Sequence, residues 1–258
     1  MNAAVDDLEF HLTGEMACPY LPGQRQRLIW TGIPDDALPA YAALTDFGFR
    51  RSGAFLYASI CRSCTACIPV RIRVGDFVHT RRQRRIVRRN RGLRRIIGRP
   101  AVRDGDWRLF ASYVAARHPG GLMDAMTRDD YRRMLEDAPE PCRMIRYVDM
   151  RAGGGGRIRS IALTDILPDG LSMCYSCFAP EAQCHSPGIH MILDHVALAR
   201  DLDLDYVYLG YWIRDCARMS YKSEFTALEY NRDGEWHRGP EDTGGDGPPD
   251  GSVPDAGP

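Results

Sequence analysis

The chain has 258 residues, 44% hydrophobic and 26% charged, enough for a large buried core in one or two domains. No apolar stretch approaches a membrane span, Asp6, Asp7 and Glu9 interrupt any signal-like run, and nine cysteines in a chain of this length do not suit a secreted disulfide framework. A cytoplasmic protein without membrane partners is expected, its thiols free or metal-bound. The net charge of zero hides an asymmetry: residues 71–99 hold twelve arginines and one acid, Asp76, so they carry +11 and the rest −11. That pattern points to an anionic partner docked locally. Only one lysine, Lys222, stands among 34 basic residues. A compact, titratable ammonium there can do what a guanidinium cannot.

Cys18-Pro-Tyr-Leu-Pro22 is a rigid extended segment, since each proline holds its predecessor out of the α region. Residues 28–30 read as a strand and 39–44 as one or two helical turns. Residues 47–51 and 54–60 read as a hairpin around Gly53, and 70–74 as a strand with alternating Arg71 and Arg73. Thr80-Arg-Arg-Gln83 fits a capping box opening a helix that stops by Gly92. Only Ile86 and Val87 are available to hold that helix to the body. Residues 98–105 read as a linker, 106–117 and 128–137 as helices, 142–148 as a strand and 153–156 as a loop. Strands 158–167 and 171–178 flank the hairpin signal Pro168-Asp-Gly170. A helix over 189–199 presents an apolar face, followed by a buried strand 206–209, a short helix 213–222 and a last strand 225–230. Residues 239–258, with five acids and no base, read as a disordered tail.

That order predicts an α+β fold. A cysteine-containing N-terminal domain with a basic helix, 1–97, precedes a GNAT-like acyltransferase domain, 98–238. Cys61, Cys64 and Cys67 stand at Cys-x-x-Cys-x-x-Cys spacing, with Cys18 as the distant fourth ligand of a candidate structural zinc or iron–sulfur site. The competing reading is a tight loop of small buried residues. Cys174, Cys177 and Cys184 read as packing. Arg81, Arg84, Arg85, Arg88 and Arg89 recur at helical spacing and suit a phosphate backbone. The aromatic stretch 208–222 can wall a pocket. Ser186-Pro-Gly188 lacks a glycine-rich pyrophosphate loop, and Pro187 removes a donor, which argues against coenzyme A. An acyl donor that is itself RNA would join these features.

The chain resembles the aminoacyl-tRNA–protein transferases of the arginyltransferase family, most closely the bacterial aspartate/glutamate leucyltransferases. The resemblance rests on Cys18–Pro22, Phe47-Gly-Phe-Arg-Arg-Ser-Gly53, the cysteine triplet with Ile68-Pro-Val-Arg-Ile72, Phe77 with 81–90, Arg117-His118, Asp169-Gly-Leu-Ser172 and 208–225. One departure is Pro187, where the family usually has leucine. The resemblance implies transfer of an amino acid, leucine in the bacterial branch, from aminoacyl-tRNA to proteins beginning with Asp or Glu. That marks them for N-degron proteolysis and requires no cofactor. Arginyl-tRNA is the alternative donor. Rivals of another class are a CoA-dependent N-acetyltransferase and a non-catalytic tRNA-binding module. Within the implied reaction, Asp165, Tyr175 or Tyr211 is expected to accept a proton or orient the amine, and Lys222 to pair with the acidic acceptor. Tyr208, Gly210, Trp212 and Tyr221 are expected to line the aminoacyl pocket, and the five helix arginines to hold tRNA.

Overall fold

The computed structural model describes residues 5, 8–33, 38–121, 123–151 and 156–239. Six short strands come first: β1 (His11–Leu12), β2 (Met16–Ala17), β3 (Arg25–Gln26), β4 (Leu28–Gly32), β5 (Arg50–Ser52) and β6 (Phe55–Ser59). β1, β4, β6 and β5 form an antiparallel sheet in that order, while β2 and β3 pair separately. The β5–β6 hairpin turns at Gly53, whose φ of +58° suits a residue without Cβ. Helix α1 (Leu38–Asp46) packs Tyr41 and Leu44 against Phe49, Leu56 and Leu167.

The larger sheet contains β7 (Ile68–Arg73), β8 (Leu93–Gly98), β9 (Cys142–Asp149), β10 (Arg157–Ile166), β11 (Gly170–Phe178), β12 (Tyr206–Trp212), β13 (Leu228–Arg232) and β14 (Glu235–Arg238). Its order is β14-β13-β7-β12-β11-β10-β9-β8. One face, with Ile145, Ala162, Leu171 and Val207, is covered by α2 (Arg81–Asn90) and α5 (Pro187–Asp201). The other face, with Met144, Ile161 and Leu163, is covered at the β9–β11 end by α3 (Asp104–Arg117) and α4 (Arg128–Glu136). Successive side chains of β9 and β10 point to opposite faces, and the helices bury both.

The division expected at residue 97 does not coincide with a break in this sheet. β7 and β8 precede that point, yet they hydrogen-bond with β12, β13 and β9. The sheet that stands apart is the one built from residues 11–59. Strand β8 was not foreseen, because residues 93–98 are charged enough to read as the end of the basic stretch. The expected helix 213–222 shrinks to α6 (Ala217–Ser220) and a 3-10 turn, Tyr221–Glu224. The last strand starts at Leu228 and continues into an unforeseen hairpin with β14. The expected loop 153–156 and tail 239–258 lie outside the described residues except for Gly156 and Gly239. Among the described residues no helix is long and apolar enough to cross a membrane.

Candidate active site

Among the described residues the sheet contains one parallel pair, and the candidate site forms where that pair stops. β11 and β12 pair in parallel only at Gly170–Ser172 with Tyr206–Tyr208. Met173 onward in β11 and Leu209 onward in β12 do not pair with each other. The fork between them leaves backbone carbonyls without sheet partners, and buried carbonyls need donors. Two cations supply them. Arg50 Nη2 donates to the Met173 carbonyl at 2.8 Å. Lys222 Nζ donates to the Leu209 carbonyl at 2.8 Å and to the Tyr211 carbonyl at 2.6 Å. An ammonium can bridge two carbonyls two residues apart, which a planar guanidinium fits poorly. Burial, together with the positive charge of Arg50, pushes the Lys222 ammonium down to about 7.

Gly210 shapes the fork. The register of β12 against β7 shifts between Tyr208 and Gly210, a bulge at which Gly210 takes φ +74°. The bulge turns Tyr211 towards the small sheet and Trp212 into the core beside Tyr230. A Cβ on Gly210 would overlap the Arg50 guanidinium.

A cavity of about 340 Å³ opens between the small sheet and Tyr211. Its walls are mainly apolar and aromatic: Tyr20, Leu28, Trp30, Phe55, Tyr57 and Tyr211. Gln26, Ser52 and Ser59 add polar atoms, and no acid lines it among the described residues. Arg50, the cross-strand partner of Tyr57, does not line the cavity, though its charge acts on Tyr20, Tyr57 and Tyr211. Burial pushes the phenols of Tyr57 and Tyr211 up, and that of Tyr20 up to about 12, so all three remain protonated. The Tyr211 hydroxyl accepts from the Ser59 N–H at 3.2 Å.

Asp165 is placed elsewhere. Its carboxylate is wholly buried and accepts from Arg51 Nε at 2.6 Å, Arg51 Nη2 at 2.9 Å, the Cys174 thiol at 2.7 Å and the Tyr41 hydroxyl. Three of these bonds fall on Oδ2 and one on Oδ1, so three residues hold the carboxylate in place. The group clamps β5 and α1 to β10. Cys174 belongs to this clamp and does more than fill space: burial and the Asp165 charge push its thiol up to about 11, so it donates instead of ionising.

The four N-terminal thiols, Cys18, Cys61, Cys64 and Cys67, are half-buried and free. Burial pushes Cys67 up to about 11, and the neighbouring Cys18, Cys61 and Cys64 add to the rise. The donor set is chemically suited to a soft ion. As folded, Cys18 Sγ accepts from the Leu21 N–H and Cys61 Sγ points at the Arg27 carbonyl. Among the described residues no three His, Cys, Asp or Glu side chains converge as a metal site.

The profiles of the family described as Arginine-tRNA-protein transferase match at residues 16–85 for its N terminus and 106–232 for its C terminus. An Aspartate/glutamate leucyltransferase of Jannaschia sp. is 42% identical over 229 residues, which are 88% of this chain and 79% of that one. One of Brucella melitensis is 41% identical over 237 residues, 89% and 95% of the two chains. The chain belongs to the arginine-tRNA-protein transferase family. Looser likenesses in shape extend to the crystal structure of FemX, at 9% identity and a TM-score of 0.44, covering 81% of this chain and 80% of that one. The structure of L-PGS from Bacillus licheniformis gives 11% identity, a TM-score of 0.42 and coverage of 66% and 50%.

In this member of the family the expected site residues separate into groups. Lys222, Gly210 and Tyr211 meet at the fork. Tyr208 sits at the other end of β12, donating to Asp169 at 2.6 Å beside Arg71 and Trp236. Tyr175 packs with Phe110 of α3, its hydroxyl buried and without a hydrogen-bond partner among the described residues. Trp212 is a core residue, and Tyr221 packs at the core's edge. Arg81, Arg84, Arg85, Arg88 and Arg89 all face solvent on α2. Gln83, Ile86 and Asn90 hold that helix down, whereas Val87 is exposed. Asn90 donates to the His185 carbonyl at 2.9 Å, and the capping box of Thr80 and Gln83 closes the first turn. Arg50 was missed. Its only signal in the sequence is a position in Phe47-Gly-Phe-Arg-Arg-Ser-Gly53, where two adjacent arginines leave opposite sides of one strand.

Proposed function

We propose that this transferase moves leucine from leucyl-tRNA to the α-amine of proteins that begin with Asp or Glu, and so marks them for degradation. The observation that carries this is the cavity: apolar and aromatic walls, without an acid among the described lining residues. An apolar cavity of this size suits a leucyl side chain, whereas an arginyl side chain would call for a carboxylate partner. The names of the relatives, Aspartate/glutamate leucyltransferase, support the same donor and acceptors. The fork between β11 and β12 is the part of the scaffold that supports a GNAT-like reading.

In the reaction the α-amine nitrogen forms a bond to the ester carbonyl carbon. The carbonyl–ribose oxygen bond breaks, and the amine's proton ends on the ribose oxygen. The ester is already activated, so the protein mainly positions the two ends and excludes water. The acceptor amine has an unperturbed pKa near ~8 and needs only a weak base or a water chain. Asp165, fully bonded in its clamp, serves by positioning β5, and through it Arg50. The phenol of Tyr211 is the proposed orienting group, and the exposed arginines of α2 are proposed to hold the tRNA backbone.

The direct test supplies leucyl-tRNA and arginyl-tRNA to peptides beginning with Asp, Glu or Lys. Leucylation of the Asp and Glu peptides alone is expected. Preferential use of arginyl-tRNA, or equal transfer to all three peptides, would overturn the reading.

A further inference from the structure

The small sheet presents a row of rings to the cavity. Trp30 and Tyr57 are direct partners across β4 and β6, so their side chains leave the same face. Both line the cavity and both are half-buried. Each ring packs on other neighbours. Trp30 lies beside His11, with ring centroids 4.6 Å apart, and meets the edge of Phe55 at 5.0 Å. Tyr57 turns to Tyr211 at 6.4 Å. The cavity opens between the two. Phe55 stands opposite Gly32, whose missing side chain leaves that end of the row uncovered, and Phe55 itself is 48% exposed. Rings standing on an open sheet face are a stacking surface for an unpaired nucleobase. At the rim, the exposed Arg218 donates to the carbonyl of Pro19, a lining residue, at 2.8 Å, and its charge acts on Tyr20. Arg218 holds no carboxylate among the described residues, so its positive charge is open to a phosphate.

We propose that the small sheet holds the last nucleotide of the donor RNA: its unpaired base enters between Trp30 and Tyr57, while the leucyl group it carries lies further in, beside Tyr211. This rests on the function proposed above and adds the surface that holds the donor's end. The ester joins the amino acid to the ribose of that nucleotide, so base and amino acid must sit within one nucleotide of each other. A cavity of about 340 Å³ is more than a four-carbon side chain fills, and its remaining walls are rings. Gln26, Ser52 and Ser59 offer donors and acceptors to the edge of a base. The rim charge of Arg218 stands where the phosphate preceding that nucleotide would pass. An acidic peptide end suits the same walls poorly, because no lining residue is a cation.

The experiment compares wild type with W30L and W30F, using one Asp peptide and two leucyl-tRNAs that differ only in whether the last nucleotide carries its base. Leucine at position 30 keeps apolar bulk but offers no ring to stack on. Wild type is expected to prefer the intact donor. W30L should lose roughly five- to a hundredfold in kcat/KM for that donor, the scale of one stacked base, and little for the abasic one, so the ratio between the two donors collapses. W30F, which keeps a ring, should retain most of the ratio. KM for the peptide should be unchanged in both variants. A ratio that survives in W30L overturns the proposal, as does a wild type indifferent to the missing base. A raised KM for the peptide with the donor ratio intact also overturns it and assigns the rings to the acceptor. If W30L fails to fold, Y57L is read by the same criterion. A wild-type enzyme that leucylates the peptide from neither tRNA refutes the function itself, and the stacking site falls with it.

Discussion

Lys222 answers the question posed by a chain with a single lysine. The ammonium closes the open carbonyls of β12 at the fork, and its titration lies close to neutral pH, at about 7. On the proposed function, protonated Lys222 supplies positive charge near an acidic acceptor, and that charge is lost as pH rises through about 7. The acceptor amine, in contrast, gains reactivity as pH rises. The rate of leucyl transfer to an Asp peptide is therefore expected to be bell-shaped in pH, with Lys222 on the falling limb. K222M should lower kcat/KM at least about tenfold near neutrality, the scale of one charged contact, and remove the falling limb. A steady-state pH profile reads both effects. Gly210 gives a second prediction. In G210A the new methyl meets the Arg50 guanidinium, and an alanine at φ +74° is strained by roughly 1–2 kcal/mol. Thermal unfolding should show at least that loss, together with reduced transfer. The sequence pointed to the 208–222 stretch, but not to the separation of Tyr208 from Tyr211 along one strand. A one-residue bulge decides which way each ring turns, and nothing in the spacing of aromatics announces it.

Helix α2 was legible almost in full, because its cap, its stop and its charge are all local. What holds it to the body was less legible: Asn90 does the work expected of Val87, through a carbonyl 95 positions later in the chain. Its arginines face solvent, so reversing two of them, R85E with R88E, should leave the melting temperature nearly unchanged. The same variant should raise KM for leucyl-tRNA, measured by transfer at fixed peptide. If about five arginines touch phosphates, tRNA affinity should fall roughly a hundred- to thousandfold from about 50 to 200 mM salt. The reversed pair should flatten that slope. Strand β8 shows the limit of local reading. Leu93–Gly98 pairs with β9, a strand some fifty residues later, and its arginines were grouped with the helix that precedes them.

The Arg51–Asp165 clamp belongs to the whole molecule, since it ties the small sheet and α1 to the large sheet. Asp165 lies at the end of a strand near a hairpin, where a carboxylate reads as chemistry. Its partners are a guanidinium 114 positions earlier and a tyrosine 124 positions earlier. No local pattern reveals such a partner. D165N leaves the Arg51 charge buried without its counter-ion and is expected to cost about 3–5 kcal/mol of stability. Denaturant unfolding measures this, and the pH dependence of transfer in the surviving folded enzyme should keep its shape. A catalytic base would change that shape. The position of β7 has a further consequence for how the protein is made. This strand is an early one, yet its neighbours in the sheet are β12 and β13, and β13 ends only at Arg232. During synthesis β7 stays unpaired until β12, and on its other side β13, have left the ribosome. The basic helix that follows β7 docks on α5 and the His185 carbonyl, so its seat is complete before the last strands. A nascent chain can therefore seat its arginine helix before β13 closes the sheet over β7.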